Sequence, residues 1–477
     1  MDFKTFRAQA HRFADWMADY LETVETAPVR SQVMPGDLLS ALPPRAPETG
    51  EEMDDIFADF EQLIMPGITH WQHPRFLAYF PANSSPPSIL AEMLTATLAA
   101  QCMLWETSPA ANELETRVTE WMRELMGLPA NFQGVIQDSA SSGTLVALIA
   151  ARDRATGGRS AKSGLADERP LAVYCSAEAH SSIEKAARIA GYGSDLVRKI
   201  AIDDNQAMRP EILQARIAED RASGFTPAAI VASFGATGLG SVDPLAAIGA
   251  IAREQGIYLH VDAAWAGSAL LLDRYRPLLA GIEYADSLVT NPHKWLFTNF
   301  DCSLLYLRDP NEVLSALSIS LAILHSPDGS SMPEYRDLSL PLGRRFRALK
   351  LWFVLRSYGA ERLRAMIANH IAMAEALADR VNLEPAFELV AGPRFSLFAF
   401  RWLPDWAKSD ADVDQATELL LQAVNRDGRT YLTRTLLKGR PVIRLVVGQT
   451  YTEQRHLDEA WQAVCDVAAN LKDGAQI

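Results

Sequence analysis

The sequence predicts an α/β protein: a largely parallel sheet covered on both faces, then a smaller α+β unit. Three observations lead there. Five short apolar runs, LAVYCS (171–176), AAIVASFGA (228–236), IYLHVDAA (257–264), DSLVT (286–290) and SLLYLR (303–308), are continuous rather than alternating, the pattern of strands buried on both faces. Helical stretches such as PLAAIGAIAREQG (244–256) separate some of them. Beyond about residue 360 come a long helix (361–381), two isolated strands, FSLFAFRWL (395–403) and PVIRLVVG (441–448), and an amphipathic stretch at 453–471.

Earlier in the chain, Phe6, Phe13, Met17 and Leu21 recur at helical spacing, so the first 25 residues form an amphipathic helix. The Pro-rich PGDLLSALPPRAPETGEE (35–52) reads as an irregular surface connection. An aromatic cluster, HWQHPRFLAYFP (70–81), follows, and the alternation of helices and strands begins near residue 86. No internal repeat or low-complexity tract interrupts the pattern.

Composition narrows the function. The 477 residues are 48% hydrophobic and 22% charged, as in a soluble globular protein with a large core. A formal charge of −14 argues against a binder of phosphate backbones. Cys102, Cys175, Cys302 and Cys465 lie far apart without a CxxC pair, and the nine histidines show no HExxH spacing, which disfavours a zinc site and a disulfide framework. The charged N-terminus lacks an apolar signal-peptide core, and no run reaches the ~18 apolar residues of a membrane helix. A cytoplasmic protein is expected.

Ligands of open α/β sheets bind beyond the carboxyl ends of the strands. There the sequence places Asp262, Thr237 in a glycine-rich turn, His180 ahead of a helix, a Ser-Ala-Ser-Ser-Gly-Thr turn opening another helix near residue 142, and Lys294 in NPHKWLF. Each has a plainer reading. Asp262 suits a helix cap or a buried ion pair, His180 a core histidine, SASSGT an ordinary N-cap, and Lys294 a surface lysine after a strand. GATGLG does not match GxGxxG, and no acid follows at the ribose distance, so a dinucleotide site is disfavoured. Together the parts fit one ligand. A helix N-terminus takes a phosphate, a lysine bonds to an aldehyde, a carboxylate keeps a pyridine nitrogen protonated, and a flat imidazole stacks on a heterocycle. Pyridoxal phosphate needs all four.

The motifs NPHKW, HVDAAWAGSA, AEAHSSIEKAA, GVIQDSASSGTLVAL, HPRFLAYFP and PLGRRFRALKLWFVLRSYG resemble the group II pyridoxal-phosphate decarboxylases, above all their aromatic-L-amino-acid decarboxylase branch. The resemblance covers nearly the whole chain. It implies the fold type I, aminotransferase-like architecture, with a mostly parallel seven-stranded sheet in the large domain and a smaller C-terminal α+β domain. It also implies a homodimer with active sites at the interface. The expected division is 1–85, a segment packing on the dimer partner, then 86–360 for the cofactor domain and 361–477 for the small domain.

By the same resemblance, Lys294 is the cofactor-bonding lysine, Asp262 the partner of the pyridine nitrogen and His180 the stacking histidine. Ala140, Ser141 and Asn291 match phosphate-binding positions. Thr237 and Ala264 flank the ring, and His293 neighbours the lysine. Trp71, Tyr79, Phe80 and Pro81 match the aromatic substrate wall, while Gln101 and Met103 fall where a partner subunit completes the pocket. The glycine at 343 is expected to leave room for an indole, since plant relatives with serine there take phenolic substrates. No basic residue stands among the wall residues to receive a glutamate side chain.

One departure stands out. The family's mobile loop carries a tyrosine that protonates Cα after CO2 leaves, and ungapped alignment puts Ile323 there, in a loop about two residues shorter. Two outcomes follow. Another donor (His180, His325 or Tyr335) serves, giving an amine from tryptophan, tyrosine, phenylalanine or dopa; this is the preferred reading. Alternatively the carbanion meets O2, giving an aldehyde as in plant aldehyde synthases. A non-catalytic cofactor-binding protein is a further alternative, opposed by the intact Lys294, Asp262 and His180, and a transaminase stands below it.

Overall fold

The computed structural model describes residues 1–319 and 333–472. Contacts gather these into two compact units: Ala82–Ala372 with Gly392–Leu397, and Met1–Pro81 with Met373–Ala391 and the chain from Phe398 onward.

The first unit holds seven strands: β1 Gln133–Gln137, β2 Leu171–Ser176, β3 Val197–Ile200, β4 Thr226–Ser233, β5 Tyr258–Asp262, β6 Ser287–Thr290 and β7 Ser303–Leu307. They lie in the order β1-β7-β6-β5-β4-β2-β3. Strands β2 to β6 pair in parallel, and β7 is antiparallel to both β6 and β1. Strand β1 therefore runs with β6, and only β7 is reversed. The carboxyl ends of the other six share one edge of the sheet.

Strands β2, β6 and β7 are buried at every residue, which is why they read as unbroken apolar runs. The helix Ala140–Ala155 packs on the sheet through Val146, Ala147, Ala150 and Ala151, all within one core cluster. Gly143 allows the close approach: a Cβ there would stand 2.9 Å from Val289 Cγ2 on β6. Each fully buried Val or Leu of this core contributes about 1.5–3 kcal/mol relative to exposure.

The second unit carries β8 Phe387–Arg394, β9 Leu397–Trp402, β10 Thr433–Leu437 and β11 Arg440–Val446, ordered β10-β11-β9-β8. Lys438 and Gly439, at φ +51° and +80°, join β10 to antiparallel β11, a two-residue connection whose positive φ values match strand twist. Phe398, Phe400 and Trp402 share a core with Trp461 from the helix Gln454–Lys472.

These units cut the chain differently from the expected segments. The first 81 residues group with the C-terminal part, and the later boundary falls within the helix Arg347–Leu383, which is interrupted at Gly359. The cause is backbone pairing across the sequence. Leu77 N–H donates to Tyr431 O, Val446 N–H to Leu77 O and Val29 N–H to Gly428 O. Leu77 is also fully buried in the second unit's core. The helix Phe3–Thr23 forms as expected, capped by the Asp2 carboxylate, with no buried residue. Among the described residues no helix is long and apolar enough to cross a membrane.

Candidate active site

The candidate residues of the first unit stand on the carboxyl edge of its sheet. After β1, Ser139 caps the helix Ala140–Ala155, its Oγ accepting from Ser142 N–H at 3.2 Å. The N–H groups of Ala140 and Ser141 belong to a first turn that has no intrahelical acceptor and carries the positive dipole end.

Beyond β2, His180 is itself a helix cap. Its Nδ1 accepts from Ser182 N–H at 3.1 Å and lies 2.7 Å from Ser182 Oγ, opening the helix Ser181–Ile189. With Nδ1 accepting, the neutral ring carries its proton on Nε2. Desolvation depresses the His180 pKa, Asp262 opposes the shift and Lys294 reinforces it. The histidine thus feels both groups, and the ring is held neutral.

The turn after β4 is drawn tight. Phe234 N–H donates to Asp262 O, Gly235 and Ala236 N–H to Ser241 O, and Gly240 N–H to Ala236 O, which presents Thr237. Gly235 lies at φ +86°, and a Cβ there would fall 2.4 Å from Ala266 Cβ, so no other residue fits without rearrangement. Asp243 braces the turn by accepting from Ser233 N–H and Met208 N–H, both at 2.7 Å. Burial pushes its carboxyl up to about 6.

Asp262, half-buried at the end of β5, accepts from Ala264 N–H at 3.1 Å. Beyond β6, Asn291 N–H donates to Ala264 O, and Lys294 N–H donates to Asn291 O. His293 Nδ1 accepts from Cys302 N–H at 2.8 Å. Burial, aided by the neighbouring Lys294, holds this imidazole down to about 3, so it is neutral. The Asn291 Oδ1 atom is buried and hydrogen-bonds to no described residue.

The aromatic wall residues belong to the second unit. Trp71 and Tyr79 rings lie 5.8 Å apart at 23°, Tyr79 meets Tyr431 edge-on, and Arg444 covers Phe80 at 4.4 Å. Pro81 is buried there. In the first unit, Gln101 Oε1 accepts from Arg344 N–H at 2.7 Å, beside Gly343, and Met103 O accepts from Arg336 N–H. Ile323 and His325 lie outside the described residues. Tyr335 is 1% exposed, its hydroxyl 2.8 Å from Thr116 Oγ1 and its ring under Arg344. It belongs to the core and is not open to a substrate.

Two groups escaped sequence reasoning. Asn83, inside PANSSPPS, donates to the backbone carbonyl of Lys294. Glu115 and Arg344, each 3% exposed, form a buried pair against β1. Neither carries a local signal, because each acts on a partner hundreds of residues away.

Residues 35–403 match the pyridoxal-dependent decarboxylase conserved domain. The chain belongs to the pyridoxal-dependent decarboxylase family, and its cofactor is pyridoxal phosphate. It is 42% identical to phenylacetaldehyde synthase of Arabidopsis thaliana, over 99% of this chain and 97% of the relative. It is 41% identical to tryptophan decarboxylase 2 of Oryza sativa subsp. japonica, over 99% and 96%. The crystal structure of Oryza sativa TDC with PLP and tryptamine superposes with a TM-score of 0.96, at 32% identity and 99% coverage of both chains.

The donor set fits the cofactor. A helix of 16 residues offers the free N–H groups of its N-terminus at Ala140 to an anion. The neutral His180 ring, the half-buried Asp262 carboxylate and the half-buried Lys294 amine are the side-chain types that would suit a substituted pyridine aldehyde.

Proposed function

We propose that this chain decarboxylates an aromatic L-amino acid of the tryptophan, tyrosine, phenylalanine and dopa class to its amine and CO2. One observation carries the reading: Lys294, Asp262, His180 and the N-terminus at Ala140 end strands β6, β5, β2 and β1 on one edge of one sheet. When bound, pyridoxal phosphate supplies an electron sink for the carbon that loses CO2.

The chain's own residues do the rest. Ala140 and Ser141 N–H groups and Asn291 hold the phosphate; Thr237, Ala264 and His293 bound the ring. Asp262 keeps a proton on the ring nitrogen, which requires a carboxylate in a partly dry setting. The Lys294 amine would hold the cofactor through its aldehyde. His180, capped in place and neutral, would present its ring face to the cofactor and carries its proton on Nε2, from which it can be donated. Trp71, Tyr79, Phe80 and Pro81 are apolar residues of the kind that suits an aromatic substrate ring, and Gly343 would leave space for an indole. With Tyr335 closed in the core, the proton for Cα falls to His180 or His325.

The working form in this reading is a cytoplasmic homodimer in which residues 1–85 pack on the partner and Gln101 and Met103 complete the opposite pocket. A second reading draws on Ile323 and on the likeness to a phenylacetaldehyde synthase. There the amino acid, O2 and water give aldehyde, CO2, ammonia and hydrogen peroxide in equal amounts. Incubating the holoenzyme with each of the four amino acids and measuring CO2, amine, aldehyde and peroxide together tests both. Amine equal to CO2 without peroxide supports the decarboxylase, and aldehyde and peroxide equal to CO2 replace it. Keto acid indicates transamination. Bound cofactor without turnover indicates a non-catalytic protein.

A further inference from the structure

Segment 83–88 runs against the lysine-bearing segment 293–299 and bonds to it four times. Asn83 N–H donates to His293 O at 3.0 Å, and Asn83 Nδ2 donates to Lys294 O at 2.8 Å. Ser85 Oγ donates to Phe297 O at 2.6 Å, and Asn299 N–H donates to Ser88 Oγ at 3.3 Å. Asn83, Ser85 and Ser88 are each at most 1% exposed, so water does not compete for these bonds. The two serines are also locked to each other, Ser88 Oγ donating to Ser85 O at 2.9 Å.

The need for such a strap is local. Pro292–Trp295 is a helix of only 4 residues, closed by Leu296 N–H donating to Pro292 O, and the carbonyls after Pro292 belong to a last turn without helical donors of its own. Phe297, two residues further on, sits at φ +54°, a conformation that a bulky side chain disfavours and that persists only where its surroundings impose it. The Lys294 peptide is tied on its N side by its bond to Asn291 O. On its C side the tie is Asn83.

We infer that Asn83, supported by Ser85 and Ser88, is a positioning residue for Lys294: it fixes the backbone from which the amine reaches the cofactor aldehyde. This rests on the proposed role of Lys294. Asn83 touches neither cofactor nor substrate; it acts through the Lys294 carbonyl. Asp262 and the helix N-terminus at Ala140 hold the cofactor from other strands, so a loosened Lys294 backbone is not followed by the ring. Misplacement of a reacting group by about 1 Å costs on the order of 100-fold in rate.

The test uses the holoenzyme and its Asn83→Ala, Asn83→Asp and Ser85→Ala variants. Each is reduced with borohydride and digested, and the fraction of Lys294 peptide carrying cofactor is measured by mass spectrometry beside kcat, KM and the unfolding midpoint. We expect less trapped cofactor at Lys294 in both Asn83 variants, and kcat lowered about 10- to 100-fold with KM within about twofold. Ser85→Ala shifts the same way by less, and supplies the readout should the Asn83 variants not fold. Full trapping and wild-type kcat in folded variants, with only a lower unfolding midpoint, overturn the inference. A wild-type enzyme that traps no cofactor at Lys294 overturns the assigned role of the lysine, and this inference with it. The two failures are therefore distinct.

Discussion

Replacing Glu115 by Ala tests how the first strand is held beside the Ser139-capped turn proposed to take the phosphate. Glu115 Oε1 accepts from Arg344 Nη2 at 2.6 Å and from Ile136 N–H at 2.8 Å, while Arg344 Nη2 also donates to Ile136 O at 2.7 Å. The pair thus brackets both backbone groups of one β1 residue. Both side chains are 3% exposed, so Glu115→Ala leaves a guanidinium charge buried without its partner, at about 3–5 kcal/mol. The freed Ile136 N–H adds about 1–3 kcal/mol. Water entering the vacated space relieves part of this, which sets the expected loss at about 4 kcal/mol or more, roughly a 1000-fold shift in the folding equilibrium. Guanidinium unfolding followed through the 10 tryptophans reads it as a lower midpoint at unchanged m. Because Ile136 lies three residues before the Ser139 cap, the folded variant also binds pyridoxal phosphate more weakly. The double variant Glu115→Leu/Arg344→Met removes both charges and recovers most of the loss. A single-variant loss below about 1 kcal/mol, or a double variant as unstable as the sum of the singles, refutes the argument.

Acid is expected to destabilise the fold below pH 6.5. Burial holds His73 and His293 down to about 3 and His260 to about 4, so between those values and 6.5 the unfolded chain takes protons that the native chain refuses. Each of the three then removes about 1.4 kcal/mol per pH unit, while Asp243, raised to about 6, is protonated in the native state first and offsets one of them below pH 6. Unfolding midpoints at pH 7, 6, 5 and 4 check the slope, and a flat profile rejects it. Tyr335→Phe removes a hydroxyl paired only within the core, so about 1 kcal/mol of stability is lost; the ratio of amine to aldehyde should not move, and a changed ratio would show Tyr335 in the reaction. In Gly343→Ser the new Cβ meets Gln101 Nε2, the end of a flexible side chain, at 3.1 Å. Stability should change by less than about 1 kcal/mol, while kcat/KM for tryptophan relative to tyrosine falls about tenfold.

Sequence legibility followed burial. Strands β2, β4, β5, β6 and β7 announce themselves because both their faces are covered. Strand β3, VRKI, has two half-buried residues and one exposed one, and β10, TRTLL, shows no fully buried residue; neither carries an unbroken apolar run. Strand β1 has a glutamine at each end and read as the lead-in to a turn. Within the site, Lys294, Asp262 and His180 stood out because each is a polar residue placed after an apolar strand. Asn83 and Glu115 did not, since the Lys294 carbonyl lies 211 residues from Asn83 and Arg344 lies 229 residues from Glu115. A polar residue in a loop or on a helix face acquires such a task only when the chain closes around it.

The reversed strand β7 has a consequence for where this chain tolerates change in length. Because β7 enters the sheet at the edge where β6 leaves it, the segment between them returns on itself. It is closed by His293 N–H to Cys302 O and by Cys302 N–H to His293 Nδ1. Lys294 sits inside that closed ring, and one residue gained or lost between 293 and 302 breaks both bonds and turns the amine aside. The opposite edge is no freer between β5 and β6, where Asp286 N–H donates to Leu259 O and Asp286 Oδ2 accepts from Leu259 N–H at 2.7 Å.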